Sequence, residues 1–545
     1  MPARWEAKLP LIQLYDTTLR DGAQREGVSF AVIDKLHIAQ KLDELGIHFI
    51  EGGWPGSNPK DIEFFAKAKS LVLSQAQLVA FGSTRRVNVK AEQDANLQAL
   101  ASAGVGIVTI VGKNSEPQVT QVLETTLEEN LSMIADSIGF LKAKGLTVFF
   151  DAEHFFDGFK ANRDYSLRCL TTAAEAGADC LVLCDTNGGA LPEEVTAAVK
   201  AAAKVSTVPL GIHAHNDAEL AVANTLAAVN AGAVQIQGTI NGYGERCGNV
   251  NLCSVMPALK LKMNINCVSD AQLAKVTEVS RYVSEVANLI PETHLPYVGS
   301  SAFGHKGGLH VSGMMKWAGS YQHIDPAKVG NQPKILVSEL SGKKNIIYKA
   351  KELGLALPPK GKEAQELLEK IKFLESRGFQ YENAEASFEL LLHRAKPDYQ
   401  SPFELVDFMV VVEKRRRMPT QENLTGMLCE AMLKVRVGNE IMHTAAEGNG
   451  PVNALDLALR KALLQFYPSL TAVELIDYKV RILEESTGTA SQVRVLIESS
   501  DSVEQWRTVG SSANIIEASW LALADSLEYW LVKQKTRLPA EGRDE

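Results

Sequence analysis

The sequence predicts an α/β fold whose first half is a closed TIM (β/α)8 barrel. Three observations predict it. From residue 11 to about 250 eight short apolar runs alternate with helical stretches, four of those helices stop on a glycine, and every apolar run breaks into polar residues at its C-terminal end. Near-continuous apolar strands separated by helices mark a parallel sheet covered on both faces. Eight such units in about 250 residues fit a closed barrel better than an open doubly wound sheet.

The runs, in order, are LIQLYDTTLRDG, IHFIEGGW, AQLVAFGSTRR, VGIVTIVGKN, LTVFFDAEH, ADCLVLCDTNGG, VPLGIHAHND and AVQIQGTINGYGERCGN. The phrases LDELGIHF, LASAGVGI, TAAEAGADC and AAVNAGAVQ each place a glycine where a helix must stop before the next strand begins. In a barrel enzyme the C-terminal ends of the strands surround the active site, so the polar residues that close these runs share one mouth.

Composition narrows the function. The 545 residues exceed what one hydrophobic core usually serves, so a large domain with smaller ones is expected. A formal net charge of -9 offers no positive field for nucleic acid or an anionic membrane. No window is apolar enough to span a bilayer, and seven cysteines without CxxC spacing suit a reduced interior. A cytoplasmic enzyme is expected, with the cysteines as small buried hydrophobes.

The strongest local pattern is HAHND at the end of strand seven. Residues two apart on a strand share a face, so His213 and His215 point the same way and can hold one divalent ion. Strand one ends in TLRDGAQ, which brings Arg20 and Asp21 to the same mouth, and Asn249 follows strand eight in GERCGN. Two imidazoles, a carboxylate and an amide oxygen form a mixed N/O donor set suited to Mg2+, Mn2+ or Zn2+. Arg20 carries a guanidinium fork able to meet a substrate carboxylate or a developing oxyanion. On strand five Asp151 and Glu153 alternate onto one face, and Thr186 on strand six offers a hydroxyl to a substrate carboxylate. The glycines at 242, 244 and 248 follow the last strand without dinucleotide-binding spacing, and Lys414 to Arg417 reads as a solvated charged face rather than a phosphate contact.

Taken together, TLRDGAQ, HAHND and NGYGERCGN resemble the DRE-TIM metallolyases, and within them the isopropylmalate, homocitrate and citramalate synthases. Beyond the barrel, SAFGHKGGLHVSG and YQHIDPAKVGN are similar to a histidine-bearing segment of that group. GNGPVNALDLALRKAL and TVGSSANIIEASWLALADSL, each a glycine-rich turn leading into an amphipathic helix, resemble its C-terminal βββα repeat. The resemblance implies small helical linker subdomains and a regulatory (allosteric, dimer-forming) domain after the barrel. The expected division is 1–285 for the barrel, 286–424 for the linker subdomains, with LPPKGKEA as a break between them, and 425–545 for the regulatory domain.

The same resemblance implies site roles. Asp21, His213, His215 and Asn249 match metal-site positions, and Arg20 matches the substrate-orienting arginine. Glu153 matches the strand-five glutamate and Thr186 the substrate threonine, while His310 and Tyr321 match a catalytic pair that relatives deliver into the partner subunit's barrel. A homodimer follows. Ser312 and Ala23 depart from the pattern, standing where many relatives carry acidic residues. The implied reaction is the condensation of acetyl-CoA with a 2-keto acid. LYDTTLRDGAQREGVSF and FIEGGWPGSNPKD are most similar to the longer type within the group that takes pyruvate, with Phe81 and Asp151 shortening the acceptor pocket and isoleucine as the expected effector.

Overall fold

A computed structural model describes residues 12–336, 343–352, 363–414, 427–483 and 491–537. The strands β1 (Gln13–Asp16), β2 (Phe49–Gly53), β3 (Gln77–Ser83), β4 (Ile107–Lys113), β5 (Thr147–Glu153), β6 (Cys180–Asp185), β7 (Leu210–Ala214) and β8 (Gln235–Gly238) form a closed barrel in sequence order. Parallel pairing of β8 with β1, from Gln13 opposite Gln235 to Asp16 opposite Gly238, seals it. The four glycines expected to stop helices do so in left-handed geometry, with φ of 94° at Gly46, 78° at Gly104, 99° at Gly177 and 117° at Gly232. A side chain there would clash with its own backbone, which is why glycine occupies the position.

Side-chain alternation divides the barrel into two cores. Tyr15, Phe49, Val79, Ile107, Phe149, Cys180, Val182 and Cys184 form a buried cluster within the strands, separate from the larger core packed between strands and helices. On β5 the residues that follow Phe149 on the same face are Asp151 and Glu153, so the apolar interior layer gives way to acidic groups toward the mouth. Six of the seven cysteines are buried; Cys247 is exposed.

The chain divides into two compact units, Met1–Phe303 with His323–Lys334, and Gly304–Gln322 with Ile335–Glu545. In the second unit, helices Lys343–Glu352, Glu363–Ser376 and Glu385–Arg394 share a core around Ile346, Leu367, Ile371 and Phe388. Two antiparallel three-stranded sheets follow. Glu404–Lys414, Met427–Val437 and Glu440–Gly448 lead into helix Pro451–Leu463, and Glu474–Ile482, Val493–Ser500 and Gln505–Ser512 lead into helix Ile515–Arg537. This is the expected βββα repeat. Its first strand, Glu404–Lys414, starts ahead of residue 425, because the alternation in ELVDFMVVVEK pairs it in register with Met427–Val437. Most of LPPKGKEA, and Arg415 to Arg417 of the basic run, lie outside the described residues. No helix among the described residues is long and apolar enough to cross a membrane.

Candidate metal and substrate site at the barrel mouth

Asp21, in the turn after β1, and His213 and His215, at the end of β7, bring one ligand atom each to within 4.8 Å of one another. His213 Nε2 lies 3.3 Å from His215 Nε2 and 3.4 Å from Asp21 Oδ2, with all three residues buried. Two ring nitrogens and a carboxylate facing one another out of water need a shared proton or a cation between them. Asn249 adds a buried Oδ1 that makes no hydrogen bond, and His215 Nδ1 is likewise buried without one. The backbone of Asn249 forms an antiparallel bridge with His215, which fixes the segment after β8 against the end of β7. Carboxylate, imidazoles and amide oxygen together fit a divalent cation.

The charge balance agrees. Burial pushes the Asp21 carboxyl up, yet Arg20, then His213 and His215, overcome it and hold it well below the usual carboxylate range. Burial, and then the neighbouring His213, push His215 down to about 4, so its ring is neutral and its lone pairs are available near pH 7.

Arg20 is fixed from two sides. Its Nε donates to Glu51 Oε1 at 2.6 Å, and its guanidinium carbon sits 3.8 Å from the centroid of the Phe81 ring. Glu51, on β2, is wholly buried and accepts a second hydrogen bond of 2.6 Å from the Tyr15 hydroxyl, which is itself 2.8 Å from Thr109 Oγ1. Trp54 packs edge-on to Phe81 with ring centroids 5.3 Å apart.

A cavity of about 580 Å3 opens at this end of the barrel, and Arg20, Asp21, Phe81, Asp151, Glu153, Thr186, His213 and His215 all line it. Asp151 and Glu153 both face it, and their environments differ. Asp151 is buried, with burial pushing its carboxyl up to about 7, and accepts from Gln237 Nε2 at 2.9 Å. Glu153 is partly exposed and pairs with Lys113 Nζ at 2.6 Å. Thr186 Oγ1 accepts from the His154 backbone N–H at 2.8 Å, leaving its own hydroxyl hydrogen to donate. Arg246 closes one side by donating to Asp217 and to the Thr186 carbonyl.

His310 and Tyr321 belong to the second unit. His310 lies on the helix Gly308–Met314, and its ring stacks on Tyr321 with centroids 4.1 Å apart. Ser312 shares that helix, and Ala23 lies in the 3-10 turn Gly22–Gln24 beside Asp21.

Residues 11–283 match the HMGL-like family, residues 297–378 the homocitrate synthase post-HMGL domain-like family and residues 382–531 the LeuA allosteric (dimerisation) domain. The (R)-citramalate synthase of Geobacter sulfurreducens is 55% identical to this chain across 97% of it and 99% of the relative. The (R)-citramalate synthase of Aquifex aeolicus is 51% identical across 96% of this chain and 98% of its own. The chain belongs to the (R)-citramalate synthase family. The 2-isopropylmalate synthase of Methanocaldococcus jannaschii is 31% identical across 96% of this chain and 95% of its own.

Against that family frame, four contacts escaped the sequence reading: Glu51 beneath Arg20, Gln237 beside His213, Lys113 on Glu153 and the Arg246–Asp217 pair. Gln237 left a trace in QIQG, where two glutamines alternate onto the interior face of an otherwise apolar strand. The others join residues from different βα units, and no local pattern announces them.

Proposed function

We propose that this protein condenses acetyl-CoA with pyruvate and hydrolyses the resulting thioester, releasing (R)-citramalate and CoA. The observation that carries the reading is the 55% identity to a (R)-citramalate synthase over nearly the whole of both chains, joined to a mouth that gathers two imidazoles, a carboxylate and a fixed arginine. Asp21, His213, His215 and Asn249 would hold Mg2+, Mn2+ or Zn2+, which supplies Lewis-acid polarisation of the acceptor's keto group.

The chain's own groups do the rest. Thr186 donates its hydroxyl hydrogen to the pyruvate carboxylate. Arg20, held by Glu51 and backed by Phe81, places its remaining N–H groups toward the oxygen that gains charge as the new bond forms. The group that takes a proton from the acetyl methyl group is assigned to the set His310, Tyr321 and Glu153. The carbon so freed bonds to the keto carbon, the alkoxide is protonated, and water then cleaves the thioester, expelling CoA. Phe81 and Asp151 bound the space for the acceptor's alkyl group. We assign the His310 segment to a partner subunit in a homodimer, and isoleucine as the effector of the βββα domain; binding of leucine without binding of isoleucine in a calorimetric titration overturns the effector.

The direct test is CoA release from acetyl-CoA by purified protein, comparing pyruvate, 2-ketoisovalerate and 2-ketoglutarate. Pyruvate is expected to give the highest kcat/KM. Turnover is expected to stop with a chelator and to return when a divalent cation is restored. Preference for either other acid transfers the protein to a different acceptor class.

A further inference from the structure

We infer that Gln237 is a positioning residue which, through one side-chain amide, fixes both the tautomer of His213 and the place of Asp151. The inference rests on the metal reading above and extends it to a group no comparison assigns.

Gln237 stands directly opposite His213 in the register of β8 on β7 and is fully buried. Its Oε1 is 2.8 Å from His213 Nδ1, and its Nε2 is 2.9 Å from Asp151 Oδ1. The two ends of an amide are not equivalent: the NH2 only donates and the oxygen only accepts. With the NH2 spent on the Asp151 oxygen, the amide oxygen must accept, so His213 Nδ1 carries the hydrogen. The neutral ring then keeps its lone pair on Nε2, the atom that faces Asp21 and His215. The opposite amide orientation would aim an N–H of His213 into the site and remove it as a ligand.

Asp151 enters the same chain of bonds from β5, on the far side of the barrel interior. A side chain bounding the acceptor pocket and a side chain facing the cation are therefore held by one residue, which ligates nothing and lies outside the cavity lining.

The test reads metal binding, not turnover. Co2+ binding is followed by calorimetry and by the cobalt absorption band in full-length wild type, Gln237→Met and Gln237→Glu. Gln237→Met keeps the volume and deletes both hydrogen bonds; its Co2+ Kd is expected to rise roughly 10- to 100-fold with an altered band, the cost typical of losing a group that orients a ligand. Gln237→Glu keeps an acceptor for His213 Nδ1 but gives Asp151 no donor, so its Kd is expected to lie between those of wild type and Gln237→Met, and a Kd no lower than that of Gln237→Met overturns the control of the His213 tautomer. An unchanged Kd and band in Gln237→Met overturns the role of Gln237 while leaving the metal site standing. Failure of wild type to bind Co2+ overturns the metal reading, and this inference with it. Should Gln237→Met not fold, Gln237→Asn decides: shortening the reach by one methylene is expected to raise Kd at least fivefold, and an unchanged Kd overturns the proposal.

Discussion

The guanidinium of Arg20 sits over the ring of Phe81, 3.8 Å from carbon to centroid, so two residues that sequence reading gave separate tasks act on each other. Replacing Phe81 by Leu removes a cation–π contact of about 0.5–2 kcal/mol and enlarges the cavity beside it. The expected result is a roughly tenfold lower kcat/KM for pyruvate and a higher ratio of 2-ketoisovalerate to pyruvate turnover. Steady-state rates with both acids check it, and an unchanged ratio removes Phe81 as a determinant of acceptor size.

Glu51 makes no contact with solvent and serves as anchor for both Arg20 and Tyr15. Glu51→Gln keeps the shape and removes the charge that holds the guanidinium, freeing Arg20 to shift. Such misplacement costs about 10- to 100-fold in kcat. Glu51 is not among the cation's donors, so metal affinity is expected to change less than kcat, and a variant that loses metal while keeping kcat contradicts the assignment.

His48 predicts an acid limit for the barrel. Its Nδ1 accepts the Leu14 backbone N–H at 3.1 Å beside β1, and burial pushes its pKa below the ordinary value. The folded state thus binds fewer protons than the unfolded state, so this contribution is complete above about pH 6.5 and is lost as pH falls below it toward the depressed folded value. Melting temperatures of wild type between pH 5 and 8 are expected to fall on the acid side more steeply than those of His48→Gln.

In the second unit Arg394 bonds to Asp525 at 2.8 Å and to Glu528 at 2.7 Å, two acids on the last helix that are themselves largely buried. Arg394→Leu removes their shared cation, leaving Asp525 with the Ser387 hydroxyl and Glu528 with the Tyr399 hydroxyl. The expected loss is about 3 kcal/mol, the lower end for breaking a buried pair, because the arginine side chain keeps 32% exposure. Denaturant melts followed by tryptophan fluorescence report it, Trp506, Trp520 and Trp530 lying in that unit's core. A midpoint unchanged from wild type would show the cluster to be neutral.

The barrel could be read from the sequence because its signals are local: an apolar run, a polar end and a glycine stop recur within each βα unit. The gathering of Asp21, His213 and His215 could be read where the residues are packed into a few consecutive positions, as in HAHND and TLRDG. Glu51 was hidden within FIEGGW, an apolar strand in which a lone acid gives no sign of the arginine 31 residues earlier that it anchors. Lys113 ends β4 with no local sign of its partner, and the parallel register of β4 on β5, which sets it directly opposite Glu153, brings the two together. The repeat at the C-terminus was legible from its helices, whereas its opening strand was missed because Glu404–Lys414 finds its pairing partner across residues 415–426.

The seam between β8 and β1 gives the barrel a consequence for assembly. Cut between β4 and β5, the chain would leave Arg20, Asp21 and Glu51 on one fragment and both imidazoles on the other. Neither half carries the whole proposed donor set, which only the two together present. Co-expressed halves are therefore expected to associate more tightly when a divalent ion is supplied, making the metal a reporter of ring closure and the protein a scaffold for metal-gated fragment complementation.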